Sequence, residues 1–276
     1  MAVLAIDSDM RNFEITSSGS KRKDDELSES NREIWKSLGI KQSDNALFFP
    51  APNALVPLMF ARFMNKRKVT FVDTNEINVS TLIKLAAEMK LANVTVKLGT
   101  VTGKFPVADS AFDLIYSDWG LSSFIPYGVK GVDAESIVKE LVRILKPGGK
   151  IAALEENGAP VMYPCPPEIL SIRSKLDAHR AERLIMGRRV FGLLKVNKLK
   201  NIRLRGYSNF VTSDDKERMR DELARRITAI ESSAELYNGQ GVSSQELERY
   251  KAWLRSQMNA EPFLIQFNSI LTVGEK

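Results

Sequence analysis

The chain has 276 residues, of which 43% are hydrophobic and 27% charged, with one cysteine and one histidine. This composition predicts a globular protein with a sizeable core, and it excludes both an internal disulfide framework and a Cys/His zinc site. The lone cysteine fits a reducing compartment and no signal peptide or membrane span is predicted, so the sequence indicates a cytoplasmic protein.

The elements predicted along the chain begin with a polar segment, residues 1–30, which we expect to be flexible. A short helix and a buried strand at 46–49 follow, and helices then alternate with strands at 68–73, at 93–99, within 111–121, where a polar turn ends the strand, and at 150–155. This alternation predicts a parallel sheet with right-handed crossovers, which binds ligands beyond the carboxyl ends of its strands. The residues following those strands are the candidates for a binding site: Pro50, Ala51, Pro52, Asn53, Asp73, Thr74, Asn75, Thr100, Val101, Ser117, Asp118 and Trp119.

The second half of the chain reads as mostly helical and basic. Residues 172–226 contain 16 Lys/Arg and 7 Asp/Glu, a net charge of +9 within a chain of net charge +6. Such a segment favours nucleic acid, acidic lipid or an anionic substrate, and it also fits an ordinary solvated helical face. No nucleic-acid-binding motif supports the first of these.

Several stretches then carry a family resemblance. "FVDTN" at 71–75, "FPVADSAFDLIYSDWGL" at 105–121 and "IVKELVRILKPGGKIAALE" at 137–155 come in this order, followed by "LKNIRLRGY" and "FNSILTVGEK". This series resembles the class I S-adenosylmethionine-dependent methyltransferases, in particular the type 11 or UbiE-like branch. The resemblance spans about residues 33–276. It implies a Rossmann-like, seven-stranded, mostly parallel sheet over residues 31–276, with helices on both faces and helical lid insertions at about 165–200 and 208–258.

The resemblance also implies roles for the candidate residues. Asp73 takes the place of the acid that binds the cofactor ribose, although an aspartate there also suits a strand-capping turn. Thr100 and Val101 occupy the turn where the family often has an adenine-binding acid, which is absent here. The loop 117–119 faces the transferable methyl group, and it lacks the Asn/Asp-Pro-Pro-aromatic motif of enzymes that methylate bases or glutamine.

The first loop departs most from the family pattern, which is roughly acid-x-G-x-G-x-G. Aligned to it, Phe48 replaces the acid, and Pro50, Pro52 and Ala54 replace the glycines. Prolines remove main-chain donors and place a ring where the backbone of the family is bare. Two interpretations stay open: S-adenosylmethionine binds in an altered way, through Ala51, Asn53 and Asp73, or the cofactor site is dead.

The function implied is S-adenosylmethionine-dependent methyl transfer to a small molecule, for which the basic insertions favour an anionic one. The alternatives are a catalytically inactive binding or scaffold protein and a nucleic-acid-directed methyltransferase. No catalytic residue is identified, because transfer from a sulfonium depends mainly on proximity and orientation. Weak substrate-site candidates are Tyr163, Cys165 and His179, for which a rigid connector and an ordinary helix position are the competing interpretations.

Overall fold

A computed structural model describes residues 31–41, 44–51, 54–65, 67–99, 104–123 and 134–276. Its first elements are α1 (31–37), β1 (Ala46–Phe48), α2 (Leu55–Met64), β2 (Val69–Asp73), α3 (Glu76–Glu88), β3 (Val94–Leu98), β4 (Phe112–Asp118), α4 (Gly120–Ser123), α5 (Ala134–Ile144) and β5 (Leu145–Glu156). The elements that follow are β6 (Val161–Tyr163), α6 (Pro167–Ala178), α7 (Ala181–Leu184), α8 (Met186–Val196), β7 (Lys200–Thr212), α9 (Lys216–Ser232), α10 (Ala234–Gly239), α11 (Ser244–Gln257) and β8 (Leu264–Glu275).

The chain divides into two compact units. We call the first the sheet unit, made of the described residues up to Glu155 together with Gly187–Arg205 and Ile270–Lys276. We call the second the helical unit, made of Glu156–Met186 and Gly206–Ser269. No helix among the described residues is long and apolar enough to cross a membrane.

The strands of the sheet unit follow the order β3-β2-β1-β4-β5, continued by β8. β1 lies between β2 and β4 and is parallel to both, and the β2/β3 and β4/β5 pairs are parallel too. The mostly parallel α/β architecture predicted from the alternation of elements is therefore confirmed. The described residues hold eight strands instead of the seven expected, because the short β6 pairs antiparallel with the start of β8.

An aromatic cluster forms the centre of the sheet unit. Phe48 on β1 packs against Phe60, Phe71 and Tyr116, with ring centroids 5.3 to 6.1 Å apart, and Trp35 on α1 covers Phe60 and Tyr116. All five side chains are essentially inaccessible to solvent. Apolar rings of this size contribute strongly to core stability. The cluster therefore fixes β1, and with it the loop that β1 leads into.

Two helices of the sheet unit bury one face each. In α3, Leu82 and Ala86 pack inward, whereas Ile83, which has the apolar spacing of that face, is 53% exposed. In α5 the apolar side chains from Ile137 to Ile144 are buried. The KPGG sequence that follows α5 belongs to the start of β5, where the pairing with β4 shifts register between Phe112 and Leu114.

The helical unit has its own core, in which α9 and α6 pack against α11. α11 begins with a capping box, since Ser243 and Glu246 each bond the other's main-chain N–H. Helices therefore occupy most of the two segments that the sequence assigned to insertions. Their role as a lid stays a prediction.

Candidate functional site

The carboxyl ends of the parallel strands meet at one edge of the sheet unit, as such a sheet requires. Of the candidate residues, the structure places Pro50, Ala51, Asp73, Thr74, Asn75, Ser117, Asp118 and Trp119 at this edge. Pro52, Asn53, Thr100 and Val101 lie outside the described residues.

Asp73 ends β2 and joins two of the loops at this edge. Its Oδ2 accepts a hydrogen bond from the Ala51 main-chain N–H at 3.0 Å, in the loop after β1. Its Oδ1 accepts from the Asn75 main-chain N–H at 2.8 Å and from the Asn78 amide at 3.2 Å. Burial raises the pKa of the Asp73 carboxyl, and these hydrogen bonds oppose that rise. The carboxylate is therefore held in a fixed orientation by its own neighbours.

The loop after β1 is closely packed. Pro50 and Ala51 are buried, and the Phe49 ring lies 4.5 Å from that of Phe105, centroid to centroid. A Cβ added at Gly120 would overlap Pro50 Cδ and Ser117 Oγ and lie 2.9 Å from the Phe49 carbonyl oxygen. Only glycine therefore allows the chain after β4 to approach the proline loop this closely.

The end of β4 contributes three candidate residues with different environments. Ser117 is fully buried, and its hydroxyl has no hydrogen-bond partner among the described residues. Trp119 has a positive φ of 51°, which is unusual for a residue with a large side chain. Its main-chain N–H donates a hydrogen bond to the Leu154 carbonyl at 2.7 Å. This bond holds the loop after β4 against β5.

A second carboxylate, Glu155, lies near the end of β5, the strand that pairs with β4. Glu155 is fully buried and accepts hydrogen bonds from the Leu121 and Ser122 main-chain N–H groups at 2.7 and 3.2 Å. Burial raises the pKa of Asp118 to about 7. Burial, with the charge of Asp118 as a further contribution, raises the pKa of Glu155 to about 7. Glu155 is fully buried and Asp118 is partly exposed, and both carboxyls are partly protonated near neutral pH.

The structure gives a physical reason for Phe48 at the position aligned with the family's loop acid. Its ring points into the aromatic cluster and is 1% exposed. A carboxylate placed there would be buried without a partner, at a cost of several kcal/mol. The aromatic cluster therefore requires an apolar residue at Phe48, and the alignment of this position with the family's loop acid stays a prediction.

Sequence reasoning missed the supporting residues of this edge. Asn78 holds Asp73, Phe105 covers Phe49, and Gly120 admits Pro50. Asn78 carried a usable signal, because it lies five residues after the candidate acid, in the first turn of α3. Phe105 and Gly120 gave none, because their contacts come from residues far away along the chain.

The three substrate-site candidates belong to the helical unit. Tyr163 ends β6 and is 64% exposed. Cys165 is partly buried, and burial raises the pKa of its thiol. His179 is partly buried directly after α6. Their contact with a substrate stays a prediction.

Asp73 is the residue at the edge whose chemistry suits one part of S-adenosylmethionine, its ribose, because a carboxylate accepts hydrogen bonds from hydroxyl groups. Asp73 Oδ2 accepts one described hydrogen bond and, as a carboxylate oxygen, has room for a second. Asp73 is 2% exposed, however, so a ribose hydroxyl reaches it only after neighbouring residues shift.

The middle of the chain matches a known protein family. Residues 53–153 match the family model described as "Methyltransferase domain", a range that begins after β1 and ends within β5. The search of curated proteins found no matching relative.

Solved structures share the fold at low sequence identity. The chain is similar to the YcgJ protein of Bacillus subtilis, with a TM-score of 0.59, 16% identity and coverage of 90% of this chain and 98% of that one. It is similar to a putative methyltransferase of Bacillus halodurans, with a TM-score of 0.57, 14% identity and coverage of 90% and 99%. The [4+2]-cyclase SpnF is also similar, with a TM-score of 0.52, 16% identity and coverage of 89% and 79%. At these identities the likeness establishes the fold.

Proposed function

We propose that this chain, which matches the family model "Methyltransferase domain" over residues 53–153, transfers a methyl group from S-adenosylmethionine to a small-molecule acceptor. The observation that carries the proposal is the position of Asp73. This buried carboxylate at the end of β2 accepts a hydrogen bond from the Ala51 main-chain N–H in the loop after β1, and β1 and β2 are neighbouring strands. In sheets of this kind such an acid binds the ribose of a nucleotide cofactor.

The ribose contact requires a rearrangement that the hydrogen bonds permit. The Asn78 amide bond to Oδ1 is the longest of those described for Asp73, so it is the one we expect a ribose hydroxyl to replace. Oδ2 takes the other hydroxyl while keeping the Ala51 N–H. Because these neighbouring residues must shift before the ribose binds, the apparent affinity equals the intrinsic affinity multiplied by the fraction of molecules in the shifted, binding-competent state.

The chemistry asks little of acids and bases. The cofactor supplies an activated methyl group on a sulfonium, and the protein contributes orientation and exclusion of water. Asp118 and Trp119, at the end of β4, are the residues we expect nearest the acceptor. An acceptor that must lose a proton would find a base in Asp118, which is partly exposed and whose pKa of about 7 suits that task. An anionic acceptor, favoured by the basic insertions, belongs to the same proposal.

The test is the formation of S-adenosylhomocysteine. Purified protein is incubated with S-adenosylmethionine and either the ultrafiltrate of a cell extract or the retained macromolecular fraction, with and without nuclease. We expect product with the ultrafiltrate for the wild type and a loss for Asp73→Ala. Product only with the nuclease-sensitive fraction would assign the activity to nucleic acid. No product with either fraction would overturn the proposal.

A second candidate function is a non-catalytic binding or scaffold protein built on the methyltransferase fold. It is favoured by the packing of Pro50 against Gly120 and by the complete burial of Ala51, which place protein atoms where the family keeps a bare backbone. This candidate predicts that Asp73→Asn preserves whatever role the protein has in its host, provided that the variant folds. A loss of that role in a folded Asp73→Asn protein would count against it.

A further inference from the structure

One segment of the sheet unit is rich in basic residues and contains no acid of its own. Residues 187–205, which we call the basic surface, form most of α8, the turn after it and the first part of β7. They contain seven Lys/Arg and no Asp/Glu. Four of these side chains are exposed and form no ion pair with any described residue: Lys195, Lys198, Lys200 and Arg203.

The turn at the end of α8 holds three of these lysines in place. The Leu199 N–H donates to the Leu194 carbonyl at 3.0 Å, and both leucines are buried. They pack beneath Gly274 of β8, where an added Cβ would come within 2.9 Å of Leu194 and 3.1 Å of Leu199. Because this apolar side of the turn is fixed, Lys195, Lys198 and Lys200 are held on the solvent side.

Apolar side chains are exposed among the cations. Val196 is 66% exposed, Leu204 is 49% exposed and Phe191 is 37% exposed. The Lys195 ammonium lies 5.5 Å from the centroid of the Phe191 ring. Exposed aliphatic groups beside unpaired lysines suit the boundary between lipid headgroups and acyl chains.

Protection of a strand edge and binding of nucleic acid each account for less of this pattern. Cations on an edge strand prevent strand pairing between molecules. Lys195, Val196 and Lys198 lie on α8 and in the turn after it, not on a strand, so this explanation does not apply to them. Single-stranded nucleic acid is usually bound by cations together with aromatic rings on which bases stack, and the one exposed ring of residues 187–205 lies beside Lys195. Among the described residues, one acid next to the basic surface is Glu275, whose carboxylate accepts a hydrogen bond from the Asn201 side chain at 3.3 Å.

We propose that the basic surface binds the surface of an anionic lipid bilayer, with Lys195, Lys198 and Lys200 at the headgroup phosphates and Val196 inserted beside them. Each lysine near an anionic membrane contributes about fivefold to partitioning. Binding is peripheral and reversible, and it weakens with salt. It brings the methyltransferase domain to the membrane surface whether or not the domain is active.

The test is co-sedimentation of the full chain with phosphatidylcholine vesicles that contain or lack phosphatidylglycerol. We expect binding to the anionic vesicles only, reduced about 100-fold in Lys195→Glu/Lys198→Glu/Lys200→Glu. The matched control, Lys36→Glu/Lys84→Glu/Lys139→Glu, changes the net charge equally at exposed helix positions and is expected to keep most of the binding.

A second variant separates the membrane from other polyanions and introduces no new charge. Val196→Ser is expected to reduce vesicle binding about fivefold and to leave retention on immobilised RNA unchanged. Binding to RNA without binding to vesicles would overturn the proposal, as would vesicle binding equal in the two triple variants. Absence of vesicle binding by the wild type at low salt would also overturn it.

Discussion

The Asp73 carboxylate accepts a hydrogen bond from the main-chain N–H of Ala51 at 3.0 Å, so the end of β2 is tied directly to the loop after β1. The same carboxylate also fixes the start of α3 through Asn75 and Asn78. One buried side chain therefore organises two of the loops at the candidate site. The residue to which we assign the ribose contact thus has a structural role as well.

Asp73→Ala is expected to lower the free energy of unfolding by roughly 2–4 kcal/mol, because it leaves buried main-chain donors without an acceptor. Asp73→Asn, which keeps one acceptor oxygen, is expected to cost about half as much. Chemical denaturation measures both. The control is Asp113→Asn, which also removes a carboxylate that accepts a main-chain hydrogen bond, here from the Asn45 N–H at 2.9 Å. Asp113 lies near the start of β4, away from the carboxyl ends of the strands. Equal stability of Asp73→Ala and wild type would contradict the network described.

Gly120→Ala is expected to destabilise the protein by about 1–3 kcal/mol, because the new methyl group overlaps Pro50 and Ser117. Thermal and chemical denaturation report the loss. Gly192→Ala, in α8, meets nothing within 4 Å and is expected to be neutral or stabilising by about 0.5–1 kcal/mol. Equal stability of the two alanine variants would contradict the close packing of Gly120 against Pro50 in the loop after β1.

Phe48→Asp places an acid at the position that the sequence prediction aligns with the family's loop acid, and we expect it to prevent folding or to cost more than ~4 kcal/mol. The carboxylate would replace a ring that contacts Phe60, Phe71 and Tyr116. Phe48→Leu, which keeps an apolar side chain, is expected to cost about 1–2 kcal/mol. Circular dichroism and denaturation distinguish them. A stable Phe48→Asp protein would mean that this side chain reaches the site instead of the core.

The Asp118–Glu155 pair predicts stability that falls as pH rises. Both carboxyls have pKa values of about 7 in the folded protein, above their ordinary values, so between about pH 4 and 7 the folded state binds more protons than the unfolded state. Their contribution is present at low pH and is lost by about pH 8. Asp118→Asn should reduce the drop between about pH 5 and 8 by roughly 1–3 kcal/mol.

The control for this pH effect is Asp214→Asn, which removes an exposed acid. It is expected to leave the drop between about pH 5 and 8 as it is in the wild type. Denaturation curves at a series of pH values give the comparison. An Asp118→Asn profile parallel to that of the wild type would show that Asp118 ionises normally.

The sequence predicted that the strands pair in parallel, because alternating apolar runs and amphipathic helices such as α5 carry a strong local signal. It also identified Asp73, because an acid that closes a β-branched run is visible locally. It did not predict that Ala51 and Asn78 would bind that acid, nor that Gly120 would meet Pro50. Those contacts join segments distant in sequence, and the pattern of either segment alone does not encode them.

The short strand β6 was not predicted for a related reason, and Ile83 illustrates the same effect. β6 has three residues and exists because the start of β8 pairs with it. Ile83 has the spacing of an inward residue, but the partner surface of α3 is used by Leu82 and Ala86. Tertiary context decides both cases, as it often does for short strands and for helices with a shallow buried face.

The central claim, that the edge around Asp73 binds S-adenosylmethionine, is tested most directly by calorimetric titration of the purified wild type with that ligand, alongside Asp73→Asn and Asp113→Asn. We expect saturable binding by the wild type and by folded Asp113→Asn, and roughly tenfold weaker binding by folded Asp73→Asn, equivalent to the loss of about one charged hydrogen bond. Absence of binding by the wild type at millimolar ligand, or equal affinity in all three proteins, would contradict the claim.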